Sequence, residues 1–334
     1  VSALREIAGP FAVAPPAGAR VRTRLRVSGD DAAVLREAGE YLGSLASADL
    51  AARCAEGSLD AGQRARSRRA RKQELTAKSS SRWAGALTRT SEDAYQLACR
   101  NLLAERRCLL ARITRIQTRL AVPAGKRAGR VRGYPTPAER HAKTIRVQAF
   151  RTRLAEVEQQ LESGRVSVCR GGKALMHRRN NLADAGLSEA QWRAQWESAR
   201  LFLTADGEKD KRWGNETIRW NPDQDWLEIR LPAPLARLAN RPHGRYRLSV
   251  PVQFGYRGGD VAAQAATGAV RYDISYDPAR GRWYLDASWK TPATEPITLA
   301  QARQGTVVAV DLNAGHLAVA VLTPDGNQAG TPYT

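Results

Sequence analysis

The sequence predicts an α+β fold: a small β-barrel split by a helical insertion and followed by the first strands of a further β-unit. Three observations point there. Residues 61–200 keep a helical period. Beyond about residue 200 the pattern turns to short strands, and seven of the eight tryptophans lie past residue 190. A lone alternating strand at 20–27 has no partner in the helical stretch, so it is expected to pair with the later strands.

Residues 1–19, with Gly9-Pro10 and Pro15-Pro16-Ala-Gly18, read as a flexible lead-in. Residues 20–29 form the first barrel strand. There Val21, Thr23, Leu25 and Val27 alternate with arginines that include Arg22 and Arg24, giving a cationic face. Ser28-Gly-Asp30 caps a helix through about Cys54, which opens the helical insertion of residues 30–200. Within it, Leu102, Leu109, Ile113, Ile116 and Leu120 form one apolar stripe. Val147, Phe150, Leu154, Val157 and Leu161 form another, spaced 3, 4, 3 and 4. The Pro- and Gly-rich stretch 123–137 between them cannot continue a helix. An antiparallel helical hairpin with a basic tip at Lys126, Arg127, Arg130 and Arg132 follows. A coiled coil that only binds a partner is the alternative, for which two or three heptads are short.

Residues 201–303 carry the barrel strands, expected at Thr217–Trp220, Trp226–Leu231, Tyr246–Phe254, Ala269–Tyr276 and Trp283–Trp289. Asn221-Pro222, Gly258-Gly259 and Asp277–Gly281 are the turns between them. Residues 304–334 hold two apolar, β-branched runs, which read as adjacent buried strands. Asp311 stands where the first of them stops. It could start a turn through its side chain, or hold a divalent metal against a phosphodiester. His316 reads as structural.

The formal charge is +20. Residues 61–182 carry 29 basic and 8 acidic groups, a net of +21, while the segments on either side sum to −1 and 0. Arginine-rich codon usage would spread the excess along the chain, whereas a polyanion partner would concentrate it. The run Arg64, Arg66, Arg68, Arg69, Arg71 and Lys72 is a second cluster, followed by Trp83. Arg170-Gly-Gly-Lys173 is not a phosphate loop of the G-x-x-x-x-G-K-[ST] kind; its glycines would let backbone approach an RNA phosphate. Lys209, Lys211, Arg212 and Trp213 combine charge with an aromatic face, although Trp213 suits a core equally well.

Cys54, Cys99, Cys108 and Cys169 lack C-x-x-C spacing and are expected to be small buried hydrophobes in a reducing compartment. No apolar run reaches the length of a membrane span, and Val1–Arg20 lacks the regions of a signal peptide. A cytoplasmic, nucleoid-associated protein is expected.

Val308–Val321 with Pro324-Asp-Gly-Asn327 is similar to the opening of a RuvC domain. Together with Val168–Leu175, Gly207–Asn215 and the hairpin Tyr272–Trp289, it makes residues 20–334 resemble the TnpB group of RNA-guided nucleases and the miniature type V CRISPR effectors. The resemblance implies an OB-like wedge barrel (WED) split by a recognition insertion (REC) and followed by an RNase H-like RuvC domain. It also implies a guide RNA, from a CRISPR array or a transposon end, and target double-stranded DNA read through a short flanking motif. Cleavage would use Mg2+ held by three acids. Asp311 matches the first. The second and third acids, and a zinc insert with paired C-x-x-C motifs, have no counterpart up to Thr334, so the segment alone is expected to bind without cutting. A monomeric ribonucleoprotein is expected. The alternative is RNA-guided DNA binding without cleavage.

Overall fold

The structure is a computed structural model and describes residues 15–292, 294–312 and 315–333. Most of the expected lead-in lies outside the described residues. The chain divides into two compact units, residues 21–287 and a smaller one of residues 1–20 with 288–334.

In the larger unit, β1 (Gly18–Leu25) leads into α1 (Gly29–Glu56). Ser28 and Asp31 exchange hydrogen bonds with each other's backbone N–H, a capping box that satisfies two orphan donors. Helices α2 (Ala61–Lys78) and α3 (Ser81–Leu120) follow. A two-by-two hairpin, β2 (Arg127–Ala128) with β3 (Val131–Arg132), leads to α4 (Pro137–Ser163). The two apolar stripes meet as expected: Tyr95, Leu102, Leu109, Val157 and Val166 form one buried cluster flanked by Phe150, Leu154 and Leu161. Glycine is required where helix ends abut. Gly164 has φ +65°, and a Cβ there would lie 2.2 Å from the Ser58 amide nitrogen.

Short helices α5 (Lys173–Arg178) and α6 (Glu189–Ser198) return the chain to the strands. These are β4 (Thr204–Ala205), β5 (Ile218–Asn221), β6 (Trp226–Arg230), β7 (Arg245–Arg247), β8 (Arg271–Asp277) and β9 (Arg282–Lys290), with α7 (Gly258–Thr267) ahead of β8. The expected pairing of the first strand with the late ones holds, in the order β1-β9-β8-β4. A separate antiparallel sheet runs β5-β6-β7. Among the described residues no sheet closes on itself, so two open sheets stand where one barrel was expected. Asn215, fully buried, joins their strands. Its amide donates to the carbonyls of Ala205, Asp206 and Val270, and its oxygen accepts from the Thr217 and Ile218 amides.

Two expectations change here. Of the stretch 246–254 only Tyr246 and Arg247 lie in a strand, β7, because the continuation is spent on other partners: the Val252 carbonyl takes the Trp220 indole N–H. Gly258-Gly259 begins helix α7 rather than a turn between strands.

The smaller unit is a meander of three strands, one more than expected: β10 (Val307–Leu312), β11 (Leu317–Leu322) and β12 (Gln328–Tyr333). A four-residue helix, α8 (Leu299–Ala302), precedes it. The strands are not buried. Val308 is 64% exposed and Leu312 79%. Apolar β-branched composition made the strands, but among the described residues no layer within the unit covers their faces.

Candidate nucleic-acid interface

Helix α2 is held by a single buried apolar residue, Leu75, so nearly its whole surface is free for charge. Arg64, Arg68 and Lys72 recur every fourth residue along one face, and with Arg66 and Arg69 they are exposed. Arg71 is the exception and a correction to the expected cluster. Its guanidinium turns inward to Asp49 at 2.6 Å and Glu56 at 3.5 Å, tying α2 to α1. Trp83, just beyond the run, is wholly buried and donates its indole N–H to the Arg230 carbonyl at 2.8 Å.

Arg68 and Lys72 line a cleft of about 230 Å3 shared with Arg82 and Arg89 of α3 and with the loop Asp206–Glu208. Arg82 pairs with Glu208 and Arg89 with Asp206, each at 2.5 Å. Burial pushes the Glu208 carboxyl up, against the pull of Arg82. Four cations thus face two acids. The cleft brings the basic run together with the start of the 207–215 segment, which sequence alone left separate. Arg82 and Arg89 were not singled out; their i, i+7 spacing on one helix was the available signal.

The hairpin tip is built as expected. Lys126, Arg127, Arg130 and Arg132 are all exposed. They are carried on a fixed base: Tyr134 is buried with Arg119 4.1 Å over its ring, and Arg119 also donates to the Arg132 carbonyl. Arg140 closes the base by donating to the Val122 carbonyl at 2.8 Å.

Other expected contacts behave differently. Arg22 makes a two-pronged pair with the buried Asp286, 2.8 Å on each arm, so it serves the sheet rather than presenting a free cationic face. Arg24 remains exposed. Arg170 is likewise structural. Its guanidinium donates to the carbonyls of Gly43 at 2.7 Å, Arg200 and Leu201 at 3.0 Å, bolting α1 to the chain after α6. Burial, with Arg200 beside it, pulls its pKa down to about 10. Gly171 and Gly172 both have φ +94°; a Cβ on Gly171 would sit 3.4 Å from the Trp196 ring, so this glycine admits an indole at close range. Lys173 is exposed.

Lys209, Lys211 and Arg212 are exposed, and Trp213 is half-buried. The Arg212 guanidinium lies 4.0 Å over the Trp213 ring, which also packs edge-on with Trp226 at 4.7 Å. Trp283 is core, at 3% exposure, whereas Trp226 is half-buried.

Asp311 is the fifth residue of β10, opposite Ala318 of β11, and is exposed, as is His316. Among the described residues no three His, Cys, Asp or Glu side chains gather closely enough to hold a metal ion. A two-ion centre therefore does not fit the described residues by themselves, and Asp311 could supply one ligand of such a centre. The four cysteines are free thiols and none is fully buried as expected: Cys54, Cys99 and Cys169 are half-buried and Cys108 is exposed. Among the described residues no helix is long and apolar enough to cross a membrane. Comparison with protein-family models, curated proteins and solved structures finds no match to this chain.

Proposed function

We propose that this chain is the nucleic-acid-holding part of an RNA-guided DNA endonuclease of the TnpB or miniature type V kind. The observation that carries the reading is the exposed cationic surface of the helical insertion. It comprises one face of α2, the cleft it shares with α3, and the hairpin tip, all inside the segment whose net charge is +21. Neutralising RNA phosphates there would release counterions, the main source of affinity for such a surface. The topology supports the same reading, because β1 and β9 pair across more than 250 residues and the insertion is carried between them. Guide pairing would supply sequence recognition, while the protein grips backbone and shape.

Cleavage is the part of the reading that needs more than the described residues. Phosphodiester cleavage by two magnesium ions takes several carboxylates, and Asp311 is one. RNA-guided DNA binding without cleavage is the second reading.

The test begins with RNA that copurifies with the protein. Its sequencing should return one guide-like species with a constant region, and a random mixture of cellular RNA would sink the guided reading. A target duplex matched to that guide, incubated with Mg2+, then separates cutting from binding. Cleavage by the natural full-length protein that disappears in Asp311→Ala, with duplex binding retained, supports the nuclease. Cleavage that survives Asp311→Ala rejects Asp311 as a ligand.

A further inference from the structure

We propose that a cavity beside Trp226 receives one unpaired RNA nucleotide, its base stacked on the Arg247 guanidinium and its phosphate met by Arg241. This rests on the reading of the chain as an RNA holder and names a site within it. The cavity measures about 590 Å3, inside the roughly 300–1,000 Å3 range of small-ligand sites. Its walls come from the β5–β6 turn, Trp226, the stretch 240–241 and the end of β7.

Strand register builds the platform. Arg247 stands opposite Glu228 in the β6–β7 ladder, and Trp226 lies two residues before Glu228, on the same face of the sheet. The Arg247 guanidinium accordingly lies 4.2 Å over the Trp226 ring. Its edge donates to Glu228, itself buried, through Nε at 2.9 Å and the adjacent NH2 group, which lies 2.8 Å from the same oxygen. Asn240 clamps the Arg247 backbone with two reciprocal 2.8 Å hydrogen bonds. The plane is thus fixed by ring, carboxylate and backbone, and Arg247 lines the cavity.

Trp226 is held from behind. Its indole N–H donates to Gln224 at 2.9 Å, and the Trp213 ring packs edge-on at 88°. Trp213 adopts φ 56° and ψ 29°, a left-handed backbone that a bulky side chain disfavours, so the surroundings impose its position. Arg247 covers the Trp226 ring and itself lines the cavity, so a base would add to the Arg247 guanidinium. Planar guanidinium on an aromatic ring is a base-stacking platform suited to single-stranded RNA, which splays its bases out. Arg241, exposed on the rim, offers a cation at phosphate reach of such a base.

The test uses the full chain and single-stranded RNA oligonucleotides carrying 4-thiouridine, irradiated and mapped by peptide mass. Crosslinks are expected on peptides spanning 224–226 and 240–251. Arg247→Lys keeps the charge for Glu228 but removes the planar platform, and should cut these crosslinks about tenfold while total RNA affinity, carried by α2 and the hairpin tip, is nearly unchanged. Arg241→Ala, a rim variant that leaves the stack intact, should cut them several-fold. RNA retained by the wild-type chain without crosslinks in these peptides overturns the pocket alone. Crosslinks unchanged in both variants overturn it too, as does crosslinking only to the matching 4-thiothymidine DNA. Failure of the wild-type chain to retain any RNA overturns the functional reading and, with it, the pocket's ligand.

Discussion

Arg22 and Asp31 show how a charged residue's role depends on what it faces. Arg22 alternates with apolar residues in a strand and so looks like one of a row of free cations, yet it balances Asp286, a carboxylate only 1% exposed on its side chain. Arg22→Gln should therefore lower stability by about 1 kcal/mol, the pair being half-open to solvent, and leave RNA affinity and its salt slope unchanged. A flatter slope in a filter-binding titration would return Arg22 to the interface. Asp31 is the clearest acid switch. Burial alone would raise its carboxyl, but hydrogen bonds from Ser249, Tyr246 and Ser28 outweigh burial and hold it below its ordinary 3.8. A depressed folded value means that the ionised form stabilises the fold above pH 3.8, and that this is lost as pH falls through the lower folded value. Asp31→Asn should cost about 2 kcal/mol at pH 7. Urea midpoints of the two proteins should converge as pH falls through that lowered value. A gap that stays constant with pH would place the contribution in shape rather than charge. Sequence did not single out Asp31, the residue after the expected cap Ser28-Gly-Asp30, because its partners lie more than 200 residues away.

At the scale of elements, the helical hairpin was the most legible part of the chain. Its two apolar stripes have one partner each and are close in sequence, so periodicity alone pairs them. Arg71 and Arg170 were not legible, since a run of arginines does not say which one turns inward to a carboxylate or a carbonyl. The second sheet was half-legible: Trp226–Arg230 follows a turn signal, but α7 starts with two glycines, and helix-breaking residues at a helix start read as a loop. The tip offers a clean test of the charge argument. Replacing Lys126, Arg127, Arg130 and Arg132 with alanine removes four exposed cations and leaves the Tyr95–Val166 cluster and the Tyr134 base untouched. Helical circular dichroism should be preserved. RNA affinity should fall, and the slope of log affinity against log salt should flatten by up to about 3, at roughly 0.7 per phosphate on single strands. An unchanged slope would remove the tip from the interface. Arg71→Ala is the matching control, because it should reduce thermal stability without touching the slope.

For the whole molecule, the decisive feature is that the sheet β1-β9-β8-β4 closes over the entire insertion. The Arg22–Asp286 pair spans 264 positions, whereas the helical cluster joins Tyr95 to Val166. Long-range pairing must meet a larger loop entropy before any contact rewards it, so local helical contacts form earlier. This is also why sequence could suggest that the early strand pairs late but could not choose between one barrel and two sheets. Asn215, whose five hydrogen bonds link the two sheets, was not legible either, because asparagine in a loop carries no sign of burial. The order of events is measurable by pulse-labelled hydrogen exchange during refolding. Amides of Leu102–Leu109 should be protected in an early phase and those of Leu285–Ala287 in a later, slower one. An early helical phase would give the chain an RNA-binding surface before its sheet is complete, and added RNA should then increase the amplitude of that phase without changing the rate of the second. Protection of both regions in one phase would show that the insertion depends on the sheet for its own stability. In that case mutations such as Asn215→Ala, placed in the sheets, should weaken RNA binding as severely as removal of the cations themselves.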